Sequence, residues 1–262
     1  MRIISFYTID TPYEREAARL RQSIDKLGIE HNIVGLPSLG SWVENCAQKA
    51  RFIKDRYEAL GGDFWWFDAD AELISHPEEL SPEKVDLAAP IRNRWNLNSS
   101  CVYFGNSSRT AELVELWTGY CETYPFVFDQ LLLMFAAHNL QRGNGLKLLS
   151  LSDRYKKKYK AGAIGNFIKI AREQLGLREK PIVRQYQAST RLKDAVATKA
   201  PGTSGRPIEI GDADCPQHVR DLLANEHSEP VDVEAVVREM VAEKYGEDAA
   251  KRLFEEIASE KG

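Results

Sequence analysis

DFWWFDADAEL, residues 63–73, runs Phe64, Trp65, Trp66 and Phe67 together and then sets Asp68, Asp70 and Glu72 at alternate positions. An unbroken apolar run of this kind after Gly61 and Gly62 predicts a strand buried on both faces, as in the parallel sheet of an α/β domain. Carboxylates at the exit of such a strand need a separate reason. Two aspartates at i and i+2 point to the same side of an extended chain, and in a turn after a strand both oxygens can reach one hard cation. Mg²⁺ or Mn²⁺ held by two carboxylates keeps open positions for phosphate oxygens, so the natural partner is a nucleotide diphosphate.

The pattern around this stretch is β-α-β-α-β. RIISFYTI predicts a first strand, YEREAARLRQSIDKLG a helix ended by Gly28, and HNIVGLP a second strand. SWVENCAQKARFIKDRYEALGG carries helical spacing through Cys46, Ala50, Ile53, Tyr57 and Leu60 into the FWWF strand. Alternation of this sort implies a largely parallel sheet with ligands at the carboxyl ends of its strands, where Asp10, Asp68 and Asp70 all lie. Downstream, VDLAAPI and SSCVYFG predict strands, AELVELWTGYCETY and DQLLLMFAAHNL helices, and KLLSLSD one more strand. DRYKKKYKAGAIGNF is basic and glycine-bearing, KAPGTSGRP has loop chemistry, and the acidic tail predicts a helical pair broken at Gly246.

At 262 residues and 43% hydrophobic the chain supports one sizeable core, and no stretch approaches the ~18 apolar residues of a membrane span. A start that enters a strand pattern directly makes a cytoplasmic protein the expectation. Cys46, Cys101, Cys121 and Cys215 are scattered, which favours buried free thiols over a disulfide framework or zinc site. The net charge of −4 hides a division: residues 142–206 hold 16 Lys and Arg against 4 Asp and Glu, whereas residues 1–141 hold 13 against 20 and residues 207–262 hold 6 against 15. A basic segment between acidic ones is the one-dimensional signature of a polyanion-binding surface. Within it Tyr155 and Tyr159 interleave with Lys156, Lys157, Lys158 and Lys160, predicting stacking and phosphate contacts to DNA.

WWFDADAEL, with the helix KARFIKDRYEAL before it, resembles the aspartate-x-aspartate region of glycosyltransferases of the A-type, Rossmann-like fold. LNSSCVYF is similar to that family's Asn-Ser-Gly segment, with Ser100 at the glycine, and FVFDQLLL to its Asp-Gln helix start. The resemblance implies a glycosyltransferase domain over residues 1–195: a donor half to about residue 75, an acceptor half over 76–155 and the basic segment over 142–206. Residues 207–262 form an acidic helical appendage. It also implies a nucleotide-sugar donor, most simply a UDP-sugar, and Mn²⁺ or Mg²⁺. Asp70 becomes the main metal ligand, with Asp68 on the ribose or the metal; Thr8 and Asp10 contact the nucleoside, Lys49 lies beside the donor, and Asn98 holds a donor-sugar hydroxyl.

In PIVRQYQASTRLK, Gln185 stands where the family has a metal-binding histidine, with Gln187 or His218 as alternatives, and Ser189, Arg191 and Lys193 would bind the diphosphate. Asp129 is either a helix cap or the carboxylate at the reacting centre, as base or as support for the donor sugar. A small anchorless chain with this basic segment further resembles the phage enzymes that glycosylate 5-hydroxymethylcytosine in DNA. Two other readings remain open: transfer to an envelope saccharide or lipid, with KAGAIGNFIKIAREQLGL as an amphipathic basic helix, or a non-catalytic nucleotide- or nucleic-acid-binding module.

Overall fold

The computed structural model describes residues 1–39, 42–159, 164–186, 188, 208–225 and 227–260. Its centre is a six-stranded sheet of β1 (Arg2–Thr8), β2 (Glu30–Leu36), β3 (Phe64–Phe67), β5 (Leu87–Ala89), β8 (Cys101–Phe104) and β9 (Leu148–Ser150), ordered β2-β1-β3-β8-β5-β9. β1 pairs in parallel with β2 and β3, and β5 in parallel with β9; β8 runs antiparallel to both β3 and β5. The sheet is therefore mostly parallel with one reversed strand. Helices α1 (Tyr13–Lys26), α2 (Trp42–Leu60) and α3 (Ser108–Thr123) follow strands, and α4 (Asp129–Gly143) follows α3, as the spacing predicts.

The FWWF run is explained by period 2 with both faces covered. Trp65 and Phe67 point into one cluster with Ile3, Leu20 and Ile24; Phe64 and Trp66 point into the other with Phe52, Phe104 and Trp117. Trp65 stacks on Tyr155 at 5.4 Å between centroids, and Trp66 meets Phe6 at 5.6 Å. Such contacts make truncation of either tryptophan cost about 3–5 kcal/mol. Gly61 adopts φ +59, the left-handed turn that ends α2 and starts β3, a conformation that L side chains rarely adopt.

One expectation changes, and two further segments take shape. DFWWFDADAEL is two strands, not one: the chain turns at Asp68–Asp70, the Ala71 N–H donating to the Asp68 carbonyl at 3.0 Å. It resumes as β4 (Ala71–Leu73) in a second sheet, ordered β10-β11-β4 with β10 (Lys157–Lys158) and β11 (Val183–Gln185). Between the strands of VDLAAPI and SSCVYFG, the chain forms a small hairpin of β6 (Ile91–Arg92) and β7 (Asn96–Leu97). The basic, glycine-bearing stretch forms a short 3-10 turn (Asp153–Tyr155), β10 and helix α5 (Ile164–Gln174), the last within the segment read as an amphipathic basic helix.

The C-terminal residues are helical, as α6 (Gln217–Ala224), α7 (Val233–Tyr245) and α8 (Glu247–Glu260), with the break at Gly246. They are nonetheless part of the main core, since Val219, Val237, Met240 and Val241 pack in the same cluster as Trp117 and Leu132. Ile210 bridges Val127 beside the start of α4. All four cysteines are free, three of them buried. Among the described residues no helix is long and apolar enough to cross a membrane.

Candidate functional site

The antiparallel pairing of β3 with β8 brings the carboxyl end of one strand beside the amino end of the other, because antiparallel neighbours exchange ends. The Asp68 N–H donates to the Ser100 carbonyl at 2.9 Å, so the DAD turn and the Asn98–Ser100 turn lie side by side. A cleft of about 670 Å³, open mouth included, lies at this edge. It is lined by Thr8, Tyr13, Asn45, Cys46, Lys49, Trp66, Asp68, Ala69 and Asp70 together with Phe6 and Tyr7. Its lining sets polar and charged groups against one apolar wall, the mixture of a site for a polar small molecule.

Lys49, reaching from α2, joins the parts. Its Nζ lies 3.0 Å from Asp68 Oδ1 and 3.1 Å from Asp129 Oδ2, and it donates to Ser99 Oγ at 3.1 Å. Ser99 Oγ in turn donates to Asp129 Oδ2 at 3.1 Å. Burial alone would lower the Lys49 ammonium, but the Asp129 and Asp68 carboxylates outweigh it and raise it well above its ordinary value. Burial raises Asp129, with Lys49 opposing. Asp129 opens α4, yet its carboxylate bonds Lys49 and Ser99, and Phe128 occupies the cap position. The helix-cap alternative does not describe this geometry.

Asp70 is buried in a different setting. Its Oδ2 accepts from the Ala188 N–H at 2.7 Å, and its carbonyl from the Tyr186 N–H at 3.2 Å. Among the described residues no cation pairs with it. Burial, and then the neighbouring Asp68 charge, raise it to about 6. A buried carboxylate of this kind, next to a second one on a cleft wall, fits a divalent cation. Among the described residues no group of three or more His, Cys, Asp or Glu side chains forms a metal cage, so any such ion would complete its shell with other oxygens.

The other expected residues fall as follows. Thr8 lines the cleft; Asp10 is exposed in the turn beyond it, at φ +58, its N–H bonded to Glu14 Oε1 at 2.8 Å. Asn98 is buried, and its Oδ1 accepts from the Ser100 N–H and hydroxyl, so that oxygen secures its own turn. Gln185 lies opposite Ala71 in the β11–β4 register, its Nε2 donating to the Ser100 carbonyl at 3.4 Å. His218 is exposed on α6, 3.5 Å from Glu239, and is no part of this edge. Gln187, Ser189, Arg191, Lys193 and Lys160 lie outside the described residues.

The aromatic half of the DNA-binding expectation is corrected. Tyr155 and Tyr159 are fully buried, Tyr155 stacked on Trp65 with its hydroxyl accepting from the Glu78 N–H at 2.7 Å. Tyr159 is bonded to Glu173. Rings held this way present no face to a base. Lys156 is paired with Asp153 at 2.7 Å, Lys157 is half-buried and Lys158 exposed.

Sequence reasoning missed Ser99, the bridge between Lys49 and Asp129, and Trp66, whose Nε1 donates to Asp68 Oδ1 at 2.9 Å. It also missed Asp212, which binds the Gln130 amide and accepts from Asn96 Nδ2 at 3.1 Å. Gln130 Oε1 in turn accepts from the Ser99 N–H at 3.1 Å. Doubled serine after Asn98 was a faint signal for the first; nothing in sequence connects residue 212 to residue 130.

No family model and no curated protein matches the sequence. Among solved structures, a glycosyltransferase involved in the glycosylation of the major capsid of PBCV-1 superposes with a TM-score of 0.50 at 10% identity, over 74% of this chain and 97% of that one. GlyE of Streptococcus pneumoniae TIGR4 gives 0.45 at 14% identity, over 92% of this chain and 63% of that one. The galactosyltransferase LgtC, in complex with donor and acceptor sugar analogs, gives 0.41 at 12% identity over 78% and 98%. The first of these likenesses establishes the architecture: this chain has the A-type glycosyltransferase fold.

Proposed function

We propose that the protein is a glycosyltransferase that moves a sugar from a nucleotide-sugar donor, a UDP-sugar in the simplest case, to an acceptor hydroxyl. The observation that carries this reading is the meeting at Lys49 of the DAD turn and the start of α4, beside a cleft at the carboxyl end of β1. In transfer, the acceptor oxygen bonds to the anomeric carbon, the bond from that carbon to the diphosphate breaks, and the acceptor proton must leave. Asp129 suits the proton: burial raises its affinity for one toward the range of an effective general base. Lys49 keeps it oriented and balances its charge. Asp68 and Asp70 would hold Mn²⁺ or Mg²⁺, which supplies positive charge to the departing diphosphate. Thr8 and the wall formed by Phe6, Tyr7 and Trp66 would receive the nucleoside, and Gln185 would lend an amide oxygen near the turn.

Hydroxymethylated DNA as acceptor keeps the lysines of β10 and the basic balance of residues 142–206 but has lost its stacking tyrosines. The decisive experiment is calorimetric titration of a nucleotide-sugar panel with and without Mn²⁺, followed by mass analysis of acceptors incubated with the donor that binds. Metal-dependent binding and a sugar-sized mass gain are expected. Absence of nucleotide binding in either metal would overturn the proposal.

A further inference from the structure

Helix α5 is built with its polarity reversed. Toward the protein it directs Glu173, 1% exposed, whose Oε2 accepts from Arg184 Nη2 at 3.0 Å, and the buried Asn166. Toward solvent it directs Phe167, 77% exposed, and Ile168, 55% exposed, and the turn after it adds Leu175 at 72% and Leu177 at 69%. Ile168 and Leu175 are two helical turns apart and lie on one stripe, with Phe167 beside them. Single exposed apolar residues need no explanation, but four on one helix and the turn that ends it mark a surface made for contact.

The charge around this surface selects the partner. Residues 154–184 contain ten Lys and Arg against two Asp and Glu, and Glu173, one of the two, is already neutralised by Arg184. Apolar side chains flanked by exposed basic ones, here Arg172 and Lys180, match an anionic bilayer: the headgroups take the cations and the acyl boundary takes the rings and methyls. A nucleic acid would use the cations and leave Phe167 and Ile168 in water.

We infer that α5 is a membrane-docking element that lays Phe167, Ile168, Leu175 and Leu177 into the interface of an anionic lipid surface. The docked face is tied to the cleft edge, because Arg184 also reaches Glu72 at 3.4 Å, two residues past Asp70. Resting on the proposed transfer activity, the acceptor is then a hydroxyl carried on a lipid or on a saccharide at that surface. Docking itself does not depend on the activity.

The test is flotation of the full chain with vesicles of equal parts phosphatidylglycerol and phosphatidylcholine, against phosphatidylcholine alone. Flotation with the anionic vesicles only, weakened by salt, is expected. Phe167→Glu with Ile168→Glu should reduce partitioning at least about tenfold, and Arg172→Glu with Lys180→Glu about fivefold per residue. Both pairs are exposed, so the variants should melt with the wild type.

Flotation that is absent, or unchanged in both variants, would overturn the inference. So would a wild-type dimer that the Phe167 and Ile168 variant dissolves without vesicles, since the face would then belong to a second copy. Binding to a hydroxymethylated duplex that falls with the Arg172 and Lys180 variant, without vesicle binding, would hand the surface to DNA. Donor binding measured without vesicles should be the same in all variants; its absence in the wild type would remove the transferase reading and leave docking standing.

Discussion

Asp70 and Asp129 are both buried carboxylates at the same edge of the sheet, and they are treated differently. Asp129 has a lysine and a serine hydroxyl on one oxygen; Asp70 has a single backbone N–H and, among the described residues, no cation. A charge placed in a protein interior without compensation costs several kcal/mol, or takes up a proton to avoid that cost. The pair at Asp129 is complete within the chain. Among the described residues Asp70 has no such partner, so on the proposed reading the difference separates a fixed part of the site from a part that would receive a cation.

The sharpest way to break this contrast is Asp70→Asn. It should lower turnover by about 10³-fold, the scale of losing a metal's charge stabilisation, while leaving apo stability equal or higher. A thermal-shift titration should also lose the Mn²⁺-dependent rise of the wild type. Lys49→Met should do the reverse, destabilising the apo protein by about 3 kcal/mol or more because Asp129 loses its buried partner, as chemical denaturation would measure. Asp129→Asn removes the base but keeps shape, so turnover should fall about 10²-fold with donor affinity nearly unchanged, as initial rates and calorimetry together would reveal.

The smallest effect is a pH dependence. Folding raises Asp70 from 3.8 to about 6, so the folded protein holds this proton more tightly than the unfolded chain does. Its contribution to apo stability is complete below 3.8 and is lost as pH rises through about 6. Wild-type stability should therefore fall across that window relative to Asp70→Asn, and Mn²⁺ should cancel the fall by favouring the ionised form. Denaturant midpoints measured at several pH values, with and without metal, check both signs.

The β-α-β-α-β frame was legible because FWWF and the helices around it carry unambiguous periods. Asp68 and Asp70 were legible because a strand that apolar has no local use for them. The second strand beyond them was not, since an alternating D-A-D-A-E reads as the end of one strand until β11 pairs with β4. Tyr155 and Tyr159 were misread for a related reason. An aromatic among lysines looks the same in sequence whether the ring faces Trp65 or solvent, and only the tertiary partner decides. The Lys49–Ser99–Asp129 group joins residues 30 to 80 positions apart, and Asp212 more, so no window of sequence contains it.

Trp66 turns this charge arrangement into an optical signal. Its indole N–H ends on Asp68, and the Lys49 ammonium lies 5.5 Å from its ring centre, so a negative and a positive charge flank a single fluorophore. Indole emission shifts with the field along the ring, and any cation that draws Asp68 toward itself alters that field. The protein thus carries its own label in the wall of the cleft, with Trp65, one residue away on the opposite face of β3, as an internal control. A colour change on adding Mn²⁺ should vanish in Trp66→Phe and persist in Trp65→Phe, giving a direct reading of occupancy before any substrate is known.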